Sequence, residues 1–348
     1  MDTPHAESRR ASAGGSARST GPQRRQGSRG NRAQAEGAGA LTARPPRGFC
    51  GRGQEAAGVA EERTDEGFFS ARDGVRLFWH TERAASPTGH VALLHGYAEH
   101  LGRQSEIMRA LADRRYTVHL LDCRGHGQSG GKRAHVDRFD EYLSDLDVFL
   151  SRVRERSGSA PLFLLGHSHG ALIAVRYLLD HPDAVRGAVL ASPYFRLKLP
   201  VSPIKILAGK LISRVFPSLP MRNELKPEQL TRDVRIQNAT RADPLYQQIA
   251  TPRWYTESSA AQETVLRRAT EFVTPFLLLF GSADAIADPA AGKEFFDHAT
   301  SKDKQQKQYD GFLHELFHEP ERDRVFRDVV GWLDERARNA STRAAGAR

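Results

Sequence analysis

Short runs of apolar residues alternate along this chain with segments in which apolar residues recur every three or four positions. The runs fall at residues 91–94, 117–121, 162–165, 188–190 and 276–280. Continuous apolar runs of this length predict strands buried on both faces of a sheet, and the periodic segments predict helices that cover it. We therefore predict an α/β fold, with a mostly parallel central sheet and helices on both faces.

A hairpin and a last strand extend this central alternation. Apolar segments at 68–70 and 75–79 flank Asp73-Gly74, a strong signal for a two-residue hairpin turn. Residues 306–309 are predicted to form the last strand. The predicted helices are residues 103–114, 138–155, 169–180 and 323–338.

The alternation breaks between about residues 193 and 256. This stretch is rich in Pro, Lys and Arg, with short helical segments and no buried strand. Sheets of this kind bind ligands at the carboxyl ends of their strands. An insertion between two strands therefore predicts a helical cap over that edge of the sheet.

One segment of the insertion, residues 204–216, has an amphipathic pattern. The apolar residues on one helical face are Ile204, Leu207, Ala208, Leu211, Ile212 and Val215, and the flanking basic residues are Lys205, Lys210 and Arg214. Such a helix can lie on a membrane surface and admit a lipid tail, or it can pack down onto the sheet. The sequence leaves both interpretations open, so a transient membrane contact through the cap is one of two expectations.

Residues 1–63 are rich in Gly, Ser, Arg and Ala without hydrophobic periodicity, which predicts a disordered basic tail. Residues 1–60 carry a net charge of +6 out of +9 for the chain of 348 residues. The basic charge therefore says little about the predicted folded domain, residues 64–340. The arginines are not interleaved with a pattern of aromatic residues, which favours a solvated tail over a nucleic-acid-binding one. A second disordered tail is predicted at residues 341–348.

The sequence also bears on the cellular compartment of the protein. No apolar run approaches the roughly 18 residues that cross a bilayer, and the first residues lack the apolar core of a secretory signal. Cys50 and Cys123 are the only cysteines in the sequence, which is too few for a disulfide framework and suits a reducing compartment. We expect a cytoplasmic protein, peripheral to a membrane if the cap binds lipid.

Gly166-His167-Ser168-His169-Gly170 fits the pattern G-x-S-x-G. A predicted buried strand runs directly into it and an apolar helix follows, which is the context in which a serine on a sharp turn acts as a nucleophile. Glycines are needed on both sides because such a turn leaves no room for side chains. We predict that Ser168 is the nucleophile.

A nucleophilic serine needs a general base, and the base needs an acid that orients it. In this context they follow in the order serine, acid, histidine. Asp284 lies just past the 276–280 strand, at the sheet edge that also carries Ser168, and Asp288 remains an alternative acid. His314, in the loop after the last strand, is the predicted base.

Acyl transfer also needs two N–H donors for the oxyanion of its transition state. The backbone of His169, the residue after the nucleophile, is predicted to supply one. The backbone of Tyr97, in the loop after the 91–94 strand, is predicted to supply the other.

Residues 314–318 also match H-E-x-x-H, a zinc-protease signature. That motif needs a helix to place both imidazoles on one face, and it needs a third ligand. Gly311 precedes the motif and Pro320 follows it, which leaves little room for a helix. We therefore predict no metal and no other cofactor.

Four segments resemble the monoacylglycerol lipase-like family of α/β-hydrolases, which includes bacterial lysophospholipases. They are His95–Arg103, with H-G-x-x-E-H-x-x-R; Asp122–Gly130, with D-x-R-G-H-G-x-S-G; Phe276–Asp284, the acid-bearing strand; and Gly311–Pro320, the loop with the histidine. The likeness covers about residues 67–338. It implies a capped hydrolase, without a cofactor, in which Ser168, Asp284 and His314 cleave ester bonds of single-chain lipids.

The resemblance implies a monoacylglycerol lipase first, with a lysophospholipase or a general carboxylesterase as alternatives. Two departures bear on the substrate: His169 stands where the family usually has Met, and Tyr97 is larger than the residue often found there. An iminopeptidase would need cap carboxylates to hold a free amine, and the insertion offers Glu224, Glu228 and Asp233. From a different class, a catalytically inactive binding module is the remaining alternative, against which the complete set of site residues argues.

Overall fold

The computed structural model describes residues 63–198, 203–223 and 225–346. The predicted basic tail therefore lies outside the described residues, apart from Arg63. Within the described ranges, no helix is both long enough and apolar enough to span a bilayer.

One mixed sheet forms the centre of the fold. Its strands are β1 (Thr64–Ser70), β2 (Arg76–Glu82), β3 (Gly89–Leu94), β4 (Tyr116–Leu121), β5 (Leu162–His167), β6 (Gly187–Ala191), β9 (Phe276–Gly281) and β10 (Lys304–Tyr309), while β7 (Met221–Arg222) and β8 (Ile249–Ala250) form a separate antiparallel pair. The strand order is β1-β2-β4-β3-β5-β6-β9-β10. β2 pairs antiparallel with β1 and β4, and all other pairs in this sheet are parallel.

Helices cover both faces of the sheet. The helices of the described ranges, including α4–α6 of the insertion, are α1 (Ser105–Ala112), α2 (Asp140–Ser157), α3 (His169–Asp180), α4 (Pro203–Val215), α5 (Pro227–Leu230), α6 (Val234–Ala242), α7 (Pro252–Arg267), α8 (Pro289–His298) and α9 (Asp323–Gly346). Buried residues of α2, α3, α7 and α8 share one core with the sheet, and those of α1 and α9 share a second core. The prediction of a mostly parallel sheet with helices on both faces is confirmed.

The continuous apolar runs reflect these two cores. Along β9, Phe276 and Leu278 belong to the first core, whereas Leu277 and Leu279 belong to the second. Successive side chains of a strand point to opposite faces, so a strand covered on both sides is apolar at every position. The outer strand β10 differs, because four of its six residues are exposed.

The hairpin between β1 and β2 has a longer turn than predicted. The N–H of Gly74 donates to the carbonyl of Ala71 (3.0 Å), and the N–H of Ala71 donates to the carbonyl of Val75 (2.8 Å). The loop is therefore three residues long, Arg72–Gly74. Gly74 ends it in the left-handed region, at φ 85°, as is typical of three-residue hairpin loops.

Two other predicted boundaries change. Helix α7 continues to Arg267, so the insertion does not end at residue 256; Trp254, Ala261 and Val265 of this helix are buried in the first core. Helix α9 reaches Gly346, so the prediction of a disordered C-terminal tail is wrong for residues 341–346.

Candidate active site

Ser168 stands on the sharp turn between β5 and α3. Its φ of 52° and ψ of −114° are unusual for a residue with a side chain. A Cβ atom on Gly166 would lie 2.6 Å from the backbone nitrogen of Ala171, and one on Gly170 would lie 2.5 Å from the carbonyl oxygen of Leu94. The two glycines of the motif are therefore required by close backbone contacts.

A continuous hydrogen-bonded chain links Ser168, His314 and Asp284. Nε2 of His314 lies 2.8 Å from Oγ of Ser168, and Nδ1 lies 2.8 Å from Oδ2 of Asp284. The other carboxylate oxygen accepts from the backbone N–H groups of Ile286 (2.8 Å) and Ala287 (3.1 Å). With the imidazole neutral and protonated on Nδ1, the serine hydroxyl donates to Nε2, which is the arrangement of a nucleophile beside its base.

Asp284 and Asp288, the two candidate acids, differ in their contacts. Asp288 caps helix α8, where its carboxylate accepts from the N–H of Ala290 (3.0 Å) and lies 3.4 Å from the guanidinium of Arg196. Only Asp284, which is 1% exposed, contacts the ring of His314.

Burial and nearby negative charges shift the pKa of His314 in opposite directions. Burial alone lowers the pKa of the imidazole, because it disfavours the charged form. The charge and hydrogen bond of Asp284 oppose it, as do the charges of Glu315 and Glu99, and they leave the pKa above the usual 6.5. The imidazolium is thus the favoured form over a wider pH range than in an exposed histidine.

The backbone N–H groups of Tyr97 and His169 are unused by the rest of the described chain, since neither donates to another described residue. His169 begins helix α3, whose first N–H groups have no partner within the helix. The loop with Tyr97 is fixed by the N–H of Gly96, which donates to Oε1 of Glu99 (2.6 Å).

The side chains of these two residues have different surroundings. The Tyr97 ring lines a cavity and stacks on the ring of Trp254, with 3.9 Å between the ring centroids. Its hydroxyl donates to the carbonyl of Ile249 in β8. The His169 ring is buried beneath α7, with Nε2 3.2 Å from Oγ of Ser258. His169 therefore does not contribute its side chain to the cavity wall.

A buried polar network, which the sequence did not predict, surrounds the serine and histidine. Nδ1 of His167 lies 2.7 Å from Oε1 of Glu99, and the guanidinium of Arg103 binds both oxygens of Glu315 at 3.0 and 2.8 Å. Glu99 and Arg103 belong to the H-G-x-x-E-H-x-x-R segment, so their presence was visible in the sequence. Their partners were not, because these contacts join residues far apart along the chain.

The H-E-x-x-H segment is not a zinc site. Residues Leu316–His318 form a single 3-10 turn instead of a helix. Nδ1 of His318 lies 2.8 Å from Glu315, and Nε2 lies 2.7 Å from the carbonyl of Arg103, so neither nitrogen is available to a metal. Elsewhere in the described ranges, no group of three or more His, Cys, Asp or Glu side chains is placed to hold one.

A cavity of about 300 Å³ opens beside Ser168 and His314. Residues of the sheet loops and of the cap insertion line it together. Its apolar lining includes Tyr194, Leu197, Leu225, Leu230, Trp254 and Ile286. The cavity can therefore hold an apolar chain next to the serine.

The cap carboxylates do not supply a free acid to this cavity. Glu228 is exposed and pairs with Arg241, and Asp233 caps helix α6 and pairs with Arg235 at 3.0 Å. Glu224 lies outside the described residues. Neither described carboxylate lines the cavity, so neither is placed to hold a substrate amine there.

Comparison with known proteins agrees with this geometry. A family model described as serine aminopeptidase, S33, matches residues 85–321. The chain belongs to this family of α/β-hydrolases. A relative in it is the monoacylglycerol lipase of Mycolicibacterium smegmatis, which is 30% identical over 79% of this chain and 98% of its own length.

Two further matches also cover most of this chain. Phospholipase YtpA of Bacillus subtilis is 28% identical over 73% of this chain and 98% of its own length. The crystal structure of a monoacylglycerol lipase from Paleococcus ferrophilus superposes with a TM-score of 0.69, at 29% identity, and covers 75% of this chain and 99% of that one. The predicted membership in the monoacylglycerol lipase-like α/β-hydrolases is confirmed.

The contact between Asp284 and His314 predicts how the imidazole titrates. Replacing Asp284 by Asn removes the largest charge that raises the pKa of His314 and leaves the burial that lowers it, so this pKa falls below that of the wild-type protein. NMR titration of the His314 ring measures this. The matched variant Asp288→Asn keeps a good capping residue and leaves the titration unchanged; a shift in that variant alone would assign the acid to Asp288.

Proposed function

We propose that this protein is a serine hydrolase that cleaves monoacylglycerol into a fatty acid and glycerol. The observation that carries the proposal is the hydrogen-bonded chain from Ser168 through His314 to Asp284, which opens on an apolar cavity. In the proposed assignment, Ser168 is the nucleophile, His314 the general base and Asp284 the acid that orients the base.

The reaction follows from the positions of the protons. Nε2 of His314 takes the hydroxyl proton as Oγ of Ser168 attacks the ester carbonyl, and Asp284 stabilises the imidazolium that forms. The imidazolium then protonates the leaving glycerol oxygen. Water repeats the sequence on the acyl-enzyme, which releases the fatty acid and restores the serine.

The backbone N–H groups of Tyr97 and His169 are the proposed oxyanion donors. Their support is that neither donates to another described residue, that His169 follows Ser168 at the start of α3, and that Tyr97 lies in the loop after β3, next to Ser168. Each donor of this type contributes about 10²–10³ in rate. The contacts of Tyr97 with Trp254 and Ile249 also join the oxyanion loop to the cap.

The substrate class rests on the relatives and the cavity together. Relatives that cover most of this chain are named as monoacylglycerol lipases, and the lining is suited to one acyl chain. The resemblance to phospholipase YtpA keeps a lysophospholipid, or another carboxylic ester, as the second candidate. Aminopeptidase activity, which the family description suggests, is disfavoured because neither Glu228 nor Asp233 lines the cavity, and the carboxylates that do line it, Glu99 and Glu315, both pair with Arg103.

The cap is proposed to contact membranes through the outer side of α4. Leu207, Leu211 and Val215 repeat every four residues and are 71%, 62% and 60% exposed. On the inner side, Gly209 lines the cavity and Ser213 binds to α7. The interpretation in which this stripe packs onto the sheet is therefore wrong for these three residues.

The exposed basic side chains of Lys210 and Arg214, on the same helix, favour an anionic lipid surface. We further propose a cytoplasmic enzyme that meets its substrate at a membrane surface. The buried free thiol of Cys123 supports a reducing compartment.

Removal of the nucleophile tests the proposed reaction directly. Ser168→Ala is expected to lose labelling by a fluorophosphonate and to lower monoacylglycerol turnover by about 10⁶-fold, the range seen when a serine nucleophile is deleted. Ser192→Ala, which removes a buried serine hydroxyl after β6, is the matched control and retains labelling. An unlabelled wild-type protein would favour the inactive binding module.

The pH dependence tests His314. Because only the neutral imidazole accepts the serine proton, kcat/KM falls as the pH drops below the pKa of His314, and the midpoint lies above 6.5. The measurement is kcat/KM on a water-soluble short ester from about pH 5 to pH 8. A flat profile over this range would contradict the role of His314 as base.

Leu207→Glu and Leu211→Glu test the membrane contact. Each removes an apolar side chain whose insertion contributes about 1.5–3 kcal/mol, so flotation with anionic liposomes is expected to fall about tenfold or more while short-ester turnover is unchanged. Val234→Glu, on α6, replaces an apolar residue that is 61% exposed and serves as control. Equal loss of flotation in the control, or no loss in either α4 variant, would contradict the proposed contact of α4 with membranes.

A further inference from the structure

The loop after β3 contains a residue in a strained backbone conformation. Ala98 is fully buried and has a φ of 69°, in the left-handed region that disfavours residues with a side chain. It directly follows Tyr97, whose backbone N–H is a proposed oxyanion donor. A strained conformation persists only where the surroundings fix it. The direction of the Tyr97 N–H therefore depends on what holds the turn that contains both residues.

One side of this turn is held from within the loop. The N–H of Gly96 donates to Oε1 of Glu99 (2.6 Å), which closes the turn around Tyr97 and Ala98. A Cβ atom on Gly96 would lie 3.1 Å from Cβ of Ser168, so the turn lies directly against the proposed nucleophile. A small displacement of the turn therefore moves the Tyr97 N–H relative to the serine.

The cap holds the other side of the turn. The N–H of Gln247 donates to the carbonyl of Ala98 (2.7 Å), and the hydroxyl of Tyr97 donates to the carbonyl of Ile249. Nε2 of Gln247 also donates to the carbonyl of Gly125, in the loop after β4. Neither Gln247 nor Ile249 lines the cavity. These contacts therefore act on the loop and not on a substrate.

The ring and the hydroxyl of Tyr97 have separate partners. The ring lines the cavity and stacks on Trp254, whereas the hydroxyl binds the backbone of the cap. Burial raises the pKa of Tyr97 above its usual value, so the hydroxyl stays protonated and remains a donor at neutral pH. Removing the hydroxyl alone thus breaks the bond to the cap and keeps the contacts of the ring.

We propose that the hydroxyl of Tyr97 positions the oxyanion donor. By bonding to Ile249, it holds the turn in the strained form in which the backbone N–H of Tyr97 is directed at the oxyanion. The hydroxyl is a positioning group, which acts through the backbone of its own residue without touching the substrate. The proposal rests on the proposed esterase function and adds the contact between cap and loop that its transition state requires.

The first experiment removes the hydroxyl with Tyr97→Phe. On the monoacylglycerol, kcat is expected to fall about three- to tenfold, as for the loss of one hydrogen bond. KM is unchanged, because the oxyanion charge is present only in the transition state. A short ester shows the same fall, since both reactions form the oxyanion. Tyr116→Phe is the matched control: it removes a hydroxyl bonded to Asp334 (2.9 Å) at the amino end of β4, and kcat is unchanged.

The second experiment uses a probe of the tetrahedral state. The boron of an alkylboronic acid bonds to Oγ of Ser168 while the serine proton passes to His314, which gives a tetrahedral anion. Tyr97→Phe is expected to weaken inhibition by this acid about three- to tenfold. Inhibition by an uncharged monoalkylglycerol ether, which resembles only the bound substrate, is unchanged.

The third experiment relieves the strain with Ala98→Gly. Glycine adopts a positive φ without steric cost, so the turn then depends less on the cap. In the Tyr97→Phe protein, Ala98→Gly is expected to restore kcat to within about twofold of the Ala98→Gly protein alone. A hydroxyl that only stabilises the fold would instead lower the midpoint of thermal unfolding and leave kcat unchanged in both backgrounds.

Three results would each overturn the proposal: unchanged kcat in Tyr97→Phe, a rise in KM alone, or equal losses of inhibition by the boronic acid and the ether. Failure of the proposed function itself would appear as no hydrolysis of either ester by the wild-type protein. If Tyr97→Phe does not fold, Gln247→Met loosens the same cap segment by removing its bond to Gly125. In that variant kcat is expected to fall with KM unchanged, and an unchanged kcat would also overturn the proposal.

Discussion

The site depends on one strained turn, the backbone at Ser168. A residue with a side chain at φ 52° costs on the order of 1–3 kcal/mol and persists only where its surroundings fix it. Here the N–H of Ser168 donates to Ala191 in β6 (2.9 Å), and its carbonyl accepts from Ala171 (3.0 Å) and Tyr194 (3.1 Å). The sheet, helix α3 and the start of the insertion thus all bind the backbone of Ser168.

The sequence predicted what parallel strands impose. Their carboxyl ends share one edge, so a serine after β5, an aspartate after β9 and a histidine after β10 could be expected to meet, as Ser168, Asp284 and His314 do. The sequence could not separate Asp284 from Asp288. The two aspartates lie four residues apart in the same loop, and the sequence does not show in which direction each side chain points. Nor could it predict that Leu207, Leu211 and Val215 of α4 are exposed, because the sequence period does not show which side of the helix faces the protein.

The network around Glu99 and Arg103 explains how distant loops stay in register. Glu99 joins the loop after β3 to His167, the neighbour of Ser168, and Arg103 joins it to Glu315, the neighbour of His314. Thr240 adds the cap to the same guanidinium. Substitutions among these contacting residues are expected to combine non-additively, because each one changes the partners left to the others.

Strand β10 forms one edge of the sheet. Lys304 and Lys307 lie on this outer strand, and most of its side chains face solvent. An unpaired edge invites another chain to add a strand, and exposed polar side chains there oppose it because they stay hydrated. The parallel sheet ends at β10 with a polar outer strand, which disfavours its growth into a shared intermolecular sheet.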